Sequence, residues 1–378
     1  MKLIIFVPPN GNMMRHDFSI HRLGKYFKTK KGIKTIVVKI DNKKLDSEFD
    51  NGNYVDEVIN VVTQTDLFNM IEKLKPNLIL HRSWMLAYPF AARLIKKFDN
   101  VVVNIKDWNF SSKKEYKFIF DTDTDFKAIK YIFKNAKYIL SHFTKKQSII
   151  WAKKYNVSKN KFIFFPEYCN EDNFQIGNIN YDKNNIKLLF AGNISLITSY
   201  PEQLFPWKSH LRSIIKVTKQ KISIDFIFPS TTYTNIISNK KLCFDWLYEN
   251  EFNKRINLLK GKTLFLNKEN DYDFAFFELE TSGTNKKLYE YAVVSKFAFY
   301  LELAIPILVN KDFKSISKIV KKYNIGIVFS NDDLNDLNKI LNISKKEYNT
   351  MIKNIYTFRD TYTYTNNNQV FKKIMDIF

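Results

Sequence analysis

The feature that most constrains this chain is an alternation of short apolar runs with amphipathic helical patterns that completes one course, breaks, and begins again. Lys2–Val7 is apolar almost throughout, as a parallel strand covered on both faces must be. A turn at 8–12 and a helical pattern at 17–27 follow, with Asp17 or Ser19 available as N-cap. Gly32 interrupts that helix and leads into a second buried run at 35–40. Further strand-like runs lie at 58–62, 78–81, 101–105, 138–141 and 161–165, with helical patterns at 67–74, 87–97 and 126–137 between them. Strand alternating with helix at this spacing specifies a parallel, doubly wound sheet.

Around 175–185 the text turns polar and loses its period, which reads as a linker. A new first strand then appears at 186–191, ending in Gly192, followed by runs at 222–228, 262–266, 274–277, 307–309 and 326–329 and helical patterns at 296–303 and 313–322. The expected fold class is therefore α/β, two Rossmann-like domains in tandem. The expected limits are 1–180 and 181–345, with 346–378 forming a C-terminal helix that returns to the first domain. A length of 378 residues suits two cores of ordinary size.

Composition narrows the partners. The chain carries 60 Lys and Arg against 38 Asp and Glu, a formal net charge of +22, which attracts polyanions such as nucleic acid, anionic lipid or nucleotide phosphates. Seven of those cations are arginine, whereas base readers favour the bidentate arginine fork, so nucleic acid is discounted relative to a membrane surface. Cys169 and Cys243 stand without a CxxC or Cys/His cluster, which argues against a disulfide scaffold and a structural zinc. The opening MKLIIFVPPNGN lacks the apolar core and cleavage site of a secretory signal, and no segment approaches the ~20 apolar residues of a membrane span. A cytoplasmic protein is expected, with peripheral contact to the inner face of the membrane.

Tandem Rossmann domains occur in dehydrogenases, periplasmic binding proteins and glycosyltransferases, and local text separates them. A dehydrogenase needs GxGxxG after a first strand, but the two halves offer PPNGNMMR and AGNISLIT. A periplasmic protein needs a signal peptide. The segment SKFAFYLELAIPILV from Ser295, continued by IVKKYNIGIV from Ile319, resembles the lysine, aromatic, Tyr-Leu, small, Pro-Val-Ile signature of bacterial GT-B glycosyltransferases and the strand that follows it. Residues 78–93, 136–142 and 162–174 resemble further stretches of the same enzymes in the same order.

That resemblance implies a metal-independent transferase that takes a nucleotide sugar on its second domain, in a cleft facing the first, with no cofactor. The acceptor it implies is an envelope glycan, a glycolipid or another hydroxyl-bearing molecule, the sequence naming none of them. Ser295 and Lys296 open the helix before Pro306, so its dipole, a hydroxyl and an ammonium are available to a diphosphate. Their structural alternative is a plain cap and a solvated lysine. Glu302 stands where the resemblance implies a carboxylate on the ribose hydroxyls, and its alternative is a surface glutamate. Val294 stands where related retaining enzymes carry another glutamate, which leaves the stereochemical outcome open.

Gly192 and Asn193 end the first strand of the second half and suit either a close approach to phosphate or a simple turn, while Lys208 and Arg212 follow as candidate diphosphate clamps. Gly11 and Asn12 form the matching loop of the first half. His16 and Asp17 after it, and His81 at the end of a strand, are the candidate bases for an acceptor hydroxyl, each with a structural alternative. Asp121, Asp123 and Asp125 spell the DxD text that binds metal in GT-A enzymes, but before a helix they read as capping acids. The 126–137 helix places Lys127, Lys130, Lys134 and Lys137 on one stripe, which fits either an anionic membrane or an ordinary surface helix. Two rival functions remain, a GT-B enzyme acting on nucleic acid and a catalytically inert GT-B homologue serving as a binding subunit. The oligomeric state is not legible.

Overall fold

Two wholly parallel sheets organise the computed structural model, which describes residues 1–12, 18–41, 53–84, 86–106, 108, 123–192, 213–214, 216–228, 255–260, 270–277 and 289–375. The chain divides into two units, the first comprising Met1–Glu167 with Asn367–Phe378 and the second Tyr168–Asn366. This is the α/β tandem that the repeated alternation specifies.

The first sheet contains β1 (Lys2–Val7), β2 (Ile33–Ile40), β3 (Glu57–Val61), β4 (Leu78–Ser83), β5 (Val101–Ile105), β6 (Ile139–Ser141) and β7 (Phe162–Phe164), in spatial order 3-2-1-4-5-6-7. Its helices are α1 (Phe18–Lys28), α2 (Gln64–Leu74), α3 (Tyr88–Lys97), α4 (Asp123–Asn135) and α5 (Lys145–Tyr155). Every residue of β5 is buried, which is why that run is apolar except for Asn104 and shows no alternation. The start of α2 is fixed by a capping box in which Thr63 and Asp66 satisfy each other's backbone N–H. Phe371 of the last helix, Gln369–Met375, packs edge-on against Phe27 at 4.9 Å and Phe165 at 5.3 Å.

The second sheet contains β8 (Lys187–Ala191), β9 (Ser223–Phe228), β10 (Ile256–Lys260), β11 (Phe274–Phe276), β12 (Ile307–Asn310) and β13 (Gly326–Phe329), in order 10-9-8-11-12-13. The strand read at 262–266 lies outside the described residues; the structure places β10 just before it. The helices are α6 (Ser295–Glu302), α7 (Lys314–Tyr323), α8 (Leu337–Leu341) and α9 (Lys345–Thr361). Tyr348 of α9 stacks on Tyr181 at 4.4 Å and donates its hydroxyl to the Asp273 carbonyl at 3.0 Å, fastening the long helix to the sheet. Gly326 opens β13 where a Cβ would fall 2.0 Å from the Ile307 carbonyl oxygen, so the strand pairs at this register only with glycine there.

The first unit also encloses charge. Glu167 accepts a short hydrogen bond from the Ser19 hydroxyl and pairs with the Lys106 ammonium at 3.3 Å, all three side chains being buried. Burial pushes the Glu167 carboxyl up, but Lys106, Arg82, the Ser19 hydrogen bond and Arg22 together outweigh it and hold the group down at about 2. A carboxyl depressed on folding contributes stability that is present above its unfolded value and lost as pH falls toward the folded one. The first unit should therefore lose stability in acid below the ordinary glutamate range. Glu167→Gln should flatten that dependence and cost about 3 to 5 kcal/mol at neutral pH, because it leaves Lys106 buried against an uncharged partner. Denaturant melts of both proteins across pH 2.5 to 7 check this.

Candidate functional site

In open parallel sheets ligands bind beyond the carboxyl ends of the strands, at the point where strand order reverses. In the second unit that point lies between β8 and β11. Their ladder pairs Leu188 with Phe274 and Leu189 with Ala275, and there the pairing stops. Beyond it the Tyr300 hydroxyl stands between the strands. It accepts from the Ala191 N–H at 2.9 Å and donates to the Phe276 carbonyl at 3.3 Å, replacing the ladder bond the strands no longer make.

Tyr300 belongs to α6, and Lys296 lies one turn earlier on the same face, as i and i+4 spacing requires. The Lys296 ammonium donates to the Phe277 carbonyl at 2.8 Å and lies over the Phe190 ring at 4.6 Å and the Phe277 ring at 5.3 Å. The chain leaves β8 through Gly192, whose φ of 137° belongs to glycine and whose missing Cβ would lie 3.9 Å from the Lys296 Nζ. So Gly192 and Lys296, a hundred positions apart, share one corner of the sheet edge. Ser295 opens α6 and is exposed; the N-cap is Val294, which offers no side-chain bond to the first turn.

Glu302 is at the other end of α6 and fully buried. Its carboxylate accepts from the Asn170 N–H at 2.7 Å and the Asn173 side-chain amide at 3.3 Å, while its carbonyl accepts from the Gln175 N–H at 2.9 Å and the Arg359 guanidinium at 3.1 Å. Those partners belong to the first residues of the second unit and to α9, all within that unit. In this arrangement the carboxylate and carbonyl hold residues 170–175 and α9 against α6.

In the first unit the reversal lies between β1 and β4, and His81 bridges it with Nδ1 2.9 Å from the Val7 carbonyl oxygen. The ring is fully buried against Phe90, and burial lowers its pKa to about 4, the Val7 bond opposing, so the imidazole is neutral and its Nδ1–H is the donor. Gly11 is buried at φ 79°, where a Cβ would meet the side chains of Ile40 and Leu67 at 2.9 Å, and Asn12 bridges to Ile40. Both therefore fit the loop against β2 and α2. Asp125 is buried and accepts from the Leu86 N–H at 2.8 Å, so it braces the turn before α3. His16, Asp17, Asn193, Lys208, Arg212 and Asp121 lie outside the described residues. Among the described residues no three His, Cys, Asp or Glu side chains cluster closely enough to hold a metal ion.

Comparison with known proteins agrees with the fold. Residues 265–371, which include α6, match the family model of the glucosyltransferase 3-like C-terminal domain. No curated protein matches the chain. Among solved structures, Anabaena HepE in complex with UDP-glucose superposes with a TM-score of 0.69 at 11% identity over 100% of both chains. Sucrose-phosphate synthase from Thermosynechococcus elongatus gives 0.61 at 10% over 100% of both. A glycosyltransferase from Rickettsia africae gives 0.61 at 10% over 99% of this chain and 98% of that one. Fold and matched domain together define a glycosyltransferase of the GT-B class, divergent in sequence. Within that class, residues 265–371 are similar to the glucosyltransferase 3-like C-terminal domain.

Tyr300 is the residue that sequence reading passed over, although it stands inside the quoted segment four positions after Lys296. The spacing itself was the available signal. For Glu302 the hydrogen bonds set a clear expectation. Glu302→Gln, which keeps one acceptor oxygen, should cost about 1 to 3 kcal/mol of stability and leave nucleotide affinity within about two-fold, roughly 0.4 kcal/mol. Thermal denaturation and calorimetric titration of the same sample separate this from a ribose contact, for which affinity would fall and stability would hold.

Proposed function

We propose that the second unit binds a nucleoside-diphosphate sugar, a UDP-sugar first among the candidates, and that the first unit presents an acceptor hydroxyl to it. The observation that carries the reading is the Lys296 ammonium held between two aromatic rings beside Gly192 at the β8/β11 edge. Aromatic walls and a hydrogen bond to a carbonyl hold the cation in place, and the N-terminal turn of α6 adds positive dipole in the same region. A diphosphate leaving group needs that charge. In the reaction the bond from the anomeric carbon to the phosphate oxygen breaks, a bond from that carbon to the acceptor oxygen forms, and the acceptor hydroxyl gives up its proton. Lys296 and the α6 terminus stabilise the negative charge that develops on the departing diphosphate. Gly192, Asn193, Lys208, Arg212 and Ser295 belong to the same proposed donor region, and His16 and Asp17 are the proposed candidates to receive the proton, whereas His81 is buried in the bridge between β1 and β4. Since this cation can do the work of a metal, turnover should survive excess EDTA.

Transfer to an envelope glycan or glycolipid is the proposed use, and one surface supports contact with an anionic membrane. In α4 the apolar stripe of Ile129 and Phe133, with Ala136 just beyond, is buried in the first unit's core and Lys127, Lys130, Lys134 and Lys137 are exposed. In α5, however, Ile149 and Ile150 are 47% and 46% exposed among the exposed Lys145, Lys146, Lys153 and Lys154. Two apolar side chains within a cationic field suit a headgroup layer. Among the described residues no helix is long and apolar enough to cross a membrane.

Two measurements test these readings. UDP should raise the melting temperature of the parent protein, and Lys296→Ala should weaken UDP by about 10- to 100-fold, the worth of a charge-assisted contact. A folded parent that binds no nucleoside diphosphate would instead be the inert homologue. For the membrane, cosedimentation with phosphatidylglycerol vesicles should fall several-fold in the Ile149→Asp, Ile150→Asp double variant while UDP affinity holds.

A further inference from the structure

We propose that Tyr300 is a positioning residue of the donor site: its hydroxyl sets the separation of the β8 and β11 ends and thereby the place of the Lys296 ammonium. This rests on the reading of Lys296 as the diphosphate contact. The argument begins with the ladder. In β8 the Gly192 N–H faces β9, where it donates to the Ile227 carbonyl at 3.1 Å, so the preceding Ala191 N–H faces β11. With pairing ended at Leu189 and Ala275, that N–H and the Phe276 carbonyl would be two buried backbone groups without partners.

A phenol hydroxyl is suited to the gap, because one oxygen accepts from one strand and donates to the other. The same oxygen limits how far the two strand ends can part, since both hydrogen bonds must be kept. Everything that presents the cation hangs from these two strand ends. Phe190 and Phe277, the rings beneath Lys296, flank Ala191 and Phe276 in the chain, and the Phe277 carbonyl is the acceptor of the ammonium. Tyr300 is fully buried, so it touches no substrate and acts through Lys296.

A double-mutant cycle tests this, using UDP, UMP and uridine as probes with calorimetric titration, and circular dichroism to confirm folding. Tyr300→Phe keeps the ring and removes the hydroxyl. It should weaken UDP by about ten-fold, the worth of a hydrogen bond, leave uridine unchanged, and have no further effect in the Lys296→Ala background. Equal losses for UDP and uridine, full additivity with Lys296→Ala, or unchanged UDP affinity would each overturn the proposal. If Lys296→Ala alone leaves UDP binding at the parent level, the donor-site reading fails; if it weakens UDP and Tyr300→Phe does not, this inference fails and that reading stands. Should Tyr300→Phe unfold, the same cycle is read in sucrose, an osmolyte that favours the folded state, and by the same outcomes.

Discussion

The candidate site depends on two parallel strands that part before their ends. A parallel sheet that reverses its strand order must bring two chains side by side with their following segments turned to opposite faces, and the gap between them is where a ligand can approach backbone. In the second unit this gap is held open by a side chain from α6 and is not closed by the ladder. The helix that supplies the wedge also supplies the cation, one turn away. The position of the charge is thereby a property of the sheet and does not depend on a loop.

The other end of α6 does different work. Glu302 and its backbone carbonyl gather residues 170–175 and α9, with Arg359 stacked over Phe174 at 4.3 Å and Tyr356 at 4.6 Å. Gly177 allows the chain just beyond residue 175 to lie against Ala304, where a Cβ would stand 2.5 Å from the carbonyl oxygen.

Much of this was legible from the amino-acid sequence because buried parallel strands leave an apolar signal that helix patterns separate cleanly. The restart of alternation at Ile186, the placement of α6 and the pairing of Gly192 with Lys296 in one region all follow from that signal and from a short resemblance. What the sequence hides is direction. A buried glutamate that accepts backbone N–H groups and an exposed one that holds a ligand have the same letter, and the difference lies in the segment at 168–177 folding back over α6. The basic helix α4 shows the same limit, since its apolar stripe faces the core while two exposed isoleucines, Ile149 and Ile150, belong to α5 and break its helical period. Tyr300 was hidden for another reason: an aromatic on a helix face reads as core packing, and its hydroxyl gains meaning only once the ladder is seen to stop.

The central claim is that the donor diphosphate lies at the β8/β11 edge against the Lys296 ammonium. A crystal structure of the chain with UDP addresses it most directly. The account predicts diphosphate oxygens within hydrogen-bond reach of the Lys296 Nζ, close to Gly192. Diphosphate density on the first unit, or at any place in the second that leaves Lys296 without a phosphate contact, would contradict it.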